Sequence, residues 1–157
     1  MRKRIITPDN NATKSPEFDW LNLEEIAEVE ISSEDVAYPI EFALLADQTS
    51  GWRAAEPGTQ IIRLLFARPQ KLTRIWLSFL EASSERTQEY KVRCSSDNGQ
   101  SFEEIVRQQW NFSPDGATSE TQDFTVDLPA VTVLELIITP DINNDKAFAS
   151  LAQLRLA

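Results

Sequence analysis

A chain of 157 residues, 41% of them hydrophobic, is long enough to bury one core without disulfide or metal staples. Its 15 basic and 25 acidic residues leave a net charge of −10, a field that opposes binding to duplex nucleic acid. The absence of histidine and the presence of one cysteine, Cys94, remove imidazole-based catalysis, His-containing zinc sites and any intrachain disulfide.

The basic start Met1-Arg2-Lys3-Arg4 passes into the polar Pro8-Asp9-Asn10-Asn11 with no apolar stretch between them long enough for a secretory signal. No run approaches the roughly 18 apolar residues of a membrane-spanning helix, so the expected compartment is the cytoplasm, with no membrane partner. Residues 1–17 read as a flexible leader and 18–157 as one domain. Leu21, Leu23 and Ile26 suit a short helical turn or an irregular lead-in. Ala27, Val29 and Ile31 then alternate with Glu28, Glu30 and Ser32, the period of a strand with one buried face.

From Ser33 to Ala55 the chain reads mostly as loop, with Ile40, Phe42 and Leu44 or Leu45 dipping into the core. Thr59–Phe66 is a nearly continuous apolar strand, Pro69 predicts a turn, and Leu72–Leu80 a second strand. On that second strand Ile75, Leu77 and Phe79 share one face, and Arg74, Trp76 and Ser78 the other. Tyr90, Val92 and Cys94 alternate within Gln88–Ser95, which makes Cys94 an inert core thiol. Asp97-Asn98-Gly99 supplies the positive φ angles of a hairpin, and Phe102–Val106 returns beside it. After a turn at Pro114-Asp115-Gly116, Phe124–Leu128 runs to Pro129, Val133–Thr139 to Pro140, and Ser150–Leu156 closes the chain. Roughly eight short strands without a helical period predict an all-β sandwich or barrel.

Several segments resemble one family in order and spacing. Tyr38-Pro39-Ile40, Ala43-Leu44 and Gly51-Trp52-Arg53-Ala54 are similar to the opening of discoidin domains, also called coagulation factor 5/8 type C domains. Gln60-Ile61-Ile62-Arg63-Leu64, the stretch from Tyr90 to Phe102 and the ending Ser150–Leu156 resemble their later strands. The resemblance covers about residues 27–157 and implies an eight-stranded antiparallel jelly-roll sandwich of the galactose-binding-like kind, with ligands held by loops at one end. Many carbohydrate-binding relatives hold a structural calcium through an aspartate after the alanine-leucine pair and a glutamate in the last strand. Leu45 and Gln153 stand at those positions here, with Asp47, Thr49 and Ser50 as the remaining oxygen donors. The expectation is therefore no cofactor, with calcium as the less favoured alternative.

The candidate ligand-binding residues are Arg53, Glu81, Arg86, Gln88, Trp110 and Asn111. Arg53 offers a planar donor fork or an ion pair to Glu56, while its neighbour Trp52 plugs the core. Glu81, Glu85, Arg86 and Gln88 combine carboxylate and guanidinium, the equipment for vicinal hydroxyls, or else form a solvated salt-bridge cluster. In Arg107–Phe112, Trp110 and Asn111 belong to a recognition loop, or Trp110 or Phe112 covers the sandwich and the rest is solvated. Trp76 is expected beneath Arg93 or Lys91 as a cation–π pair. The pairs Glu24-Glu25 and Glu103-Glu104 do not aim two carboxyls at one point if they lie in strands, so no catalytic residue is assigned.

Two functions follow. The first is a non-catalytic module binding a carbohydrate or similar polyhydroxyl ligand, and the second a cytoplasmic protein–protein adaptor on the same fold. Binding of single-stranded DNA opposes the charge of −10. The oligomeric state is left open.

Overall fold

The computed structural model describes residues 1–3, 15–47 and 50–157. Most of the expected leader, including Pro8 and the polar run after it, lies outside the described residues, as does Thr49. A helical turn α1 (Leu23–Ile26) leads into β1 (Ala27–Ile31), and a second turn α2 (Glu41–Leu44) precedes β2 (Trp52–Pro57). Then come β3 (Gln60–Leu80), β4 (Arg86–Ser95), β5 (Glu103–Phe112), β6 (Ser119–Thr139), β7 (Phe148–Leu151) and β8 (Gln153–Leu156). Every strand pairing is antiparallel. One sheet runs β1-β3-β6-β4-β5 with β8 also on β3, and β2 pairs β7 separately.

The central feature is the ribbon of β3 and β6, each 21 residues long. Its register runs from Gln60↔Ile138 to Leu65↔Val133, shifts three times, and resumes from Arg74↔Thr125 to Leu80↔Ser119. The sequence predicts a turn at Pro69 and a break at Pro129; both prolines instead sit within the irregular stretch of a continuous strand. A proline lacks the ladder donor, so it is accommodated where bulges bend the strands.

The bent ribbon faces itself. Its first half joins β1, β4 and β5 in one layer, and its second half joins β8 in the other. Phe79 from one layer and Tyr90 from the other meet with ring centroids 5.0 Å apart. Alternate residues Ile62, Leu64, Ile75, Leu77, Val92, Leu136, Ile138, Leu154 and Leu156 fill the space between them. The result is the expected sandwich, with its sheets not closed into a barrel.

Two expectations about aromatic residues resolve differently. Trp52 is fully buried and donates from its indole to the Ser33 carbonyl, so it plugs the core as predicted. Trp76, expected beneath a basic side chain of β4, is instead buried at 3% exposure, and the Arg93 guanidinium lies over Phe102. Trp76 stands beside Arg155 of β8, which bonds the carbonyls of Ala43 and Leu45, and Arg74 lies against Phe18 and Trp20, so this face of β3 is covered by the α2 segment and the residues before α1.

Folding the ribbon also sorts the ends of the molecule. The last strand closes at the bend, where the Ala157 amide donates to Arg74 and Leu21 to Leu156. The connections 81–85, 113–118 and 140–147 gather at the opposite end, tied by Glu81 N–H to Thr118, Ser113 N–H to Ala117 and Ile142 N–H to Thr87.

Candidate functional site

At this loop end lies a cleft of about 440 Å3, lined by Glu85, Arg86, Thr87, Asn111, Phe112, Ser113, Asp141 and Asn143. The lining follows from strand pairing. Arg86↔Phe112 and Thr87↔Asn111 are opposite one another on β4 and β5, and the Thr87 hydroxyl donates to Asn111 Oδ1 at 2.8 Å. Asp141 accepts from the Asn143 backbone and from Asn144 Nδ2, which shapes the third wall as a tight polar turn.

Arg86 is the keystone of the cleft floor. Its Nε donates to Glu81 Oε1 at 2.8 Å, its Nη1 donates to Pro140 O and Gln88 Oε1, and its guanidinium lies 4.7 Å from the Phe112 ring centre. Burial pushes the Glu81 carboxyl up, but bonds from Arg86 and Ser84 outweigh this and hold it below its ordinary value.

Beneath Arg86 the inward faces of β4, β5 and β6 carry a buried polar layer. Gln88 donates to Glu120 at 3.5 Å, and Trp110 lies opposite Gln88. Arg86 Nη2, Tyr90 OH, Trp110 Nε1 and Glu120 Oε2 are all buried with no hydrogen-bond partner among the described residues. Burial raises the Glu120 carboxyl to about 7, against opposing bonds from Gln122 and Gln88 and the charge of Arg86. Burial and the nearby Glu120 likewise push the Tyr90 phenol above its ordinary range.

Of the six candidates, the structure brings five together, in different roles. Arg86 and Asn111 line the cleft, Glu81 and Gln88 orient Arg86, and Trp110 packs partly buried against the core. Arg53 does not line the cleft: it is exposed on β2 with its guanidinium 4.8 Å from the Tyr38 ring centre, rather than paired with Glu56. Asp141, Asn143 and Glu120 belong to the site but carry no role in the sequence reading, where 140–144 only ends a strand. The signal available was the density of Asp and Asn in Asp141-Ile142-Asn143-Asn144-Asp145.

The position of the calcium alternative is poor in side-chain oxygen. The Leu45 side chain carries no oxygen, and the carbonyls of Ala43 and Leu45 already accept from Arg155 Nη1 and Nη2 at 2.8 and 2.9 Å. Arg155 is 2% exposed, so an internal guanidinium sits where these carbonyls converge. Among the described residues no cluster of three or more acidic or cysteine side chains fits a metal ion. No helix among them is long and apolar enough to cross a membrane.

A family model described as F5/8 type C domain matches residues 28–154. Among solved structures, the family 32 carbohydrate-binding module of C. perfringens NanJ, in complex with galactose, superposes with a TM-score of 0.61. It is 16% identical, over 85% of this chain and 94% of that one. The CBM32 of AlyQ, in complex with 4,5-unsaturated mannuronic acid, gives 0.62 at 14% identity over 84% and 95%. Reduced XRCC1 bound to the DNA pol beta catalytic domain gives 0.61 at 16% identity over 84% and 96%. No curated protein sequence matches the chain.

Proposed function

Because the chain belongs to the F5/8 type C domain family, we propose that it is a non-catalytic module that binds a carbohydrate or similar polyhydroxyl ligand in the loop-end cleft. The observation that carries this reading is the mixture of groups on one concave surface braced by the buried Arg86: the amides of Asn111 and Asn143, the carboxylates of Glu85 and Asp141, and the hydroxyls of Thr87 and Ser113. Each sugar hydroxyl both donates and accepts, so it is matched by a wall offering donors and acceptors side by side. The cleft volume of about 440 Å3 falls in the range of small-molecule sites.

Arg86 is buried and bonded to Glu81, Gln88 and Pro140, so it fixes the strand and loop that form the cleft wall before a ligand arrives. Apolar contact comes from Ile142, 45% exposed on the loop that borders the cleft. The galactose and unsaturated mannuronic acid of the two superposed modules are sugars, which supports the same ligand class here.

A glycan array followed by calorimetry tests the proposal. Saturable binding to at least one glycan is expected, weakened up to about tenfold by Asn111→Ala or Asn143→Ala, the loss of about one hydrogen bond. Both side chains are exposed, so the variants should melt as the parent does. A blank array with sugars at millimolar concentration sinks the reading.

A further inference from the structure

On another side of the molecule, along β1 and α2, runs a larger groove of about 530 Å3. Its floor is apolar, with Leu23, Val29, Ile31, Ile40, Leu44 and Leu45, and its rim carries Glu24, Glu34 and Glu41. Val29 points to the inner face of its sheet, opposite the fully buried Leu64, yet remains 37% exposed. The sandwich is therefore open along this side.

β1 is also a sheet edge, since among the described residues it pairs only with β3. Its phase is set by the Ser32 amide, which donates to the Ile61 carbonyl in register with Glu30↔Arg63 and Glu28↔Leu65. In an antiparallel pair every second residue turns its backbone to the partner, so Ala27, Val29 and Ile31 turn theirs outward. The outward Ala27 amide is used by the Leu23 carbonyl in the α1 cap. Among the described residues, no partner caps the N–H and C=O of Val29 and Ile31. These are the groups onto which an added strand would bond.

The side chains around the edge fix the chemistry of that strand. On the groove face it would meet Val29, Ile31, Leu44 and Leu45, which call for apolar residues. On the outer face it would lie beside Glu28 and Glu30, both exposed, of which Glu30 is shared with Arg63 only at 3.8 Å. Opposite charges across a strand pair are favourable and like charges unfavourable. A second copy of β1, laid antiparallel about Val29, would set Glu28 against Glu30, so self-pairing is opposed. We propose that the open edge of β1 is a docking site for an extended segment of another protein that alternates apolar and basic residues.

The probe is a synthetic heptapeptide alternating lysine and valine, titrated into the isotope-labelled chain and followed by amide NMR. Expected are slowed exchange and shifted resonances at Val29 and Ile31, and affinity that falls as salt rises. Val29→Pro removes an amide that β3 does not use, so the fold should persist while affinity drops at least about tenfold. Glu28→Lys, a surface change independent of strand integrity, should weaken the lysine peptide and strengthen a glutamate–valine one. Absence of binding at millimolar peptide, shifts that spare Val29 and Ile31, or equal affinity in folded Val29→Pro would each overturn the proposal. None of these results bears on the loop-end cleft, whose glycan assay reads a different surface.

Discussion

Glu120 is 2% exposed, and its carboxyl titrates at about 7 instead of 4.5 because burial disfavours the charged form. In the unfolded chain the same group ionises near its ordinary value, so between about pH 4.5 and 7 the folded state holds the extra proton. Stability therefore falls as pH rises through this window, by up to about 3 kcal/mol at about 1.4 kcal/mol per pH unit. With no histidine in the chain, no imidazole titrates in this window. Urea midpoints at pH 5 and pH 8 should differ for the parent and converge for Glu120→Gln, which carries no charge to bury. An equal slope in both proteins would reject Glu120 as the source. Gly51 offers a backbone counterpart. Its φ is +77°, and an added Cβ would lie 2.8 Å from the Leu151 carbonyl, so Gly51→Ala combines a left-handed strain with a clash. A loss of about 1–3 kcal/mol is expected from thermal or urea unfolding.

At the level of strands, the front layer is clamped on its outer face by one carboxylate. Glu135 of β6 accepts from Arg63 of β3 at 2.6 Å and from Arg93 of β4 at 2.8 Å, and its side chain is wholly covered. Both guanidiniums keep over a third of their surface in water, so removing the carboxylate leaves them solvated rather than stranded. Glu135→Ala should thus cost about 1–3 kcal/mol, below the cost of orphaning a fully buried charge. A double cycle with Arg93→Ala would show coupling, and additive losses would exclude the clamp. Strand periodicity alone located β1, β4 and the halves of β3 and β6, because each has one apolar face. It failed at Pro69 and Pro129. Local rules treat proline as an end of strand, while here the partner strand bulges in the same place and the ribbon continues. That information is not in either segment by itself.

The same folding of the ribbon decides how much of the site was legible. Glu81, Arg86 and Gln88 are near in sequence, and Asn111 reaches them through one strand pairing, so local chemistry could nominate them together. Asp141 arrives through the pairing of β6 with β4, and Glu120 only when the two halves of the ribbon face each other, which no motif records. Arg53 was chosen for its neighbours in sequence, but β2 pairs with β7 and carries it away from the cleft lining. The lack of carboxylates at Leu45 and Gln153 is legible in the sequence, whereas the nearby cation is not: Arg155 crosses from β8 to bind the carbonyls of Ala43 and Leu45. Divalent cation and guanidinium serve the same electrostatic need, convergence of carbonyl oxygens on positive charge, but only the guanidinium is part of the chain. The melting temperature should accordingly be unchanged by millimolar calcium or by chelator. Arg155→Met deletes three charge-assisted bonds, to the carbonyls of Ala43, Leu45 and Leu154, and should cost about 3 kcal/mol, or about 6–12 °C for a chain of this size. Calcium that raises the melting temperature of the parent would show that the loop still takes the ion. Calcium that stabilises only Arg155→Met would show that the carbonyls bind either cation and that Arg155 is what excludes the metal.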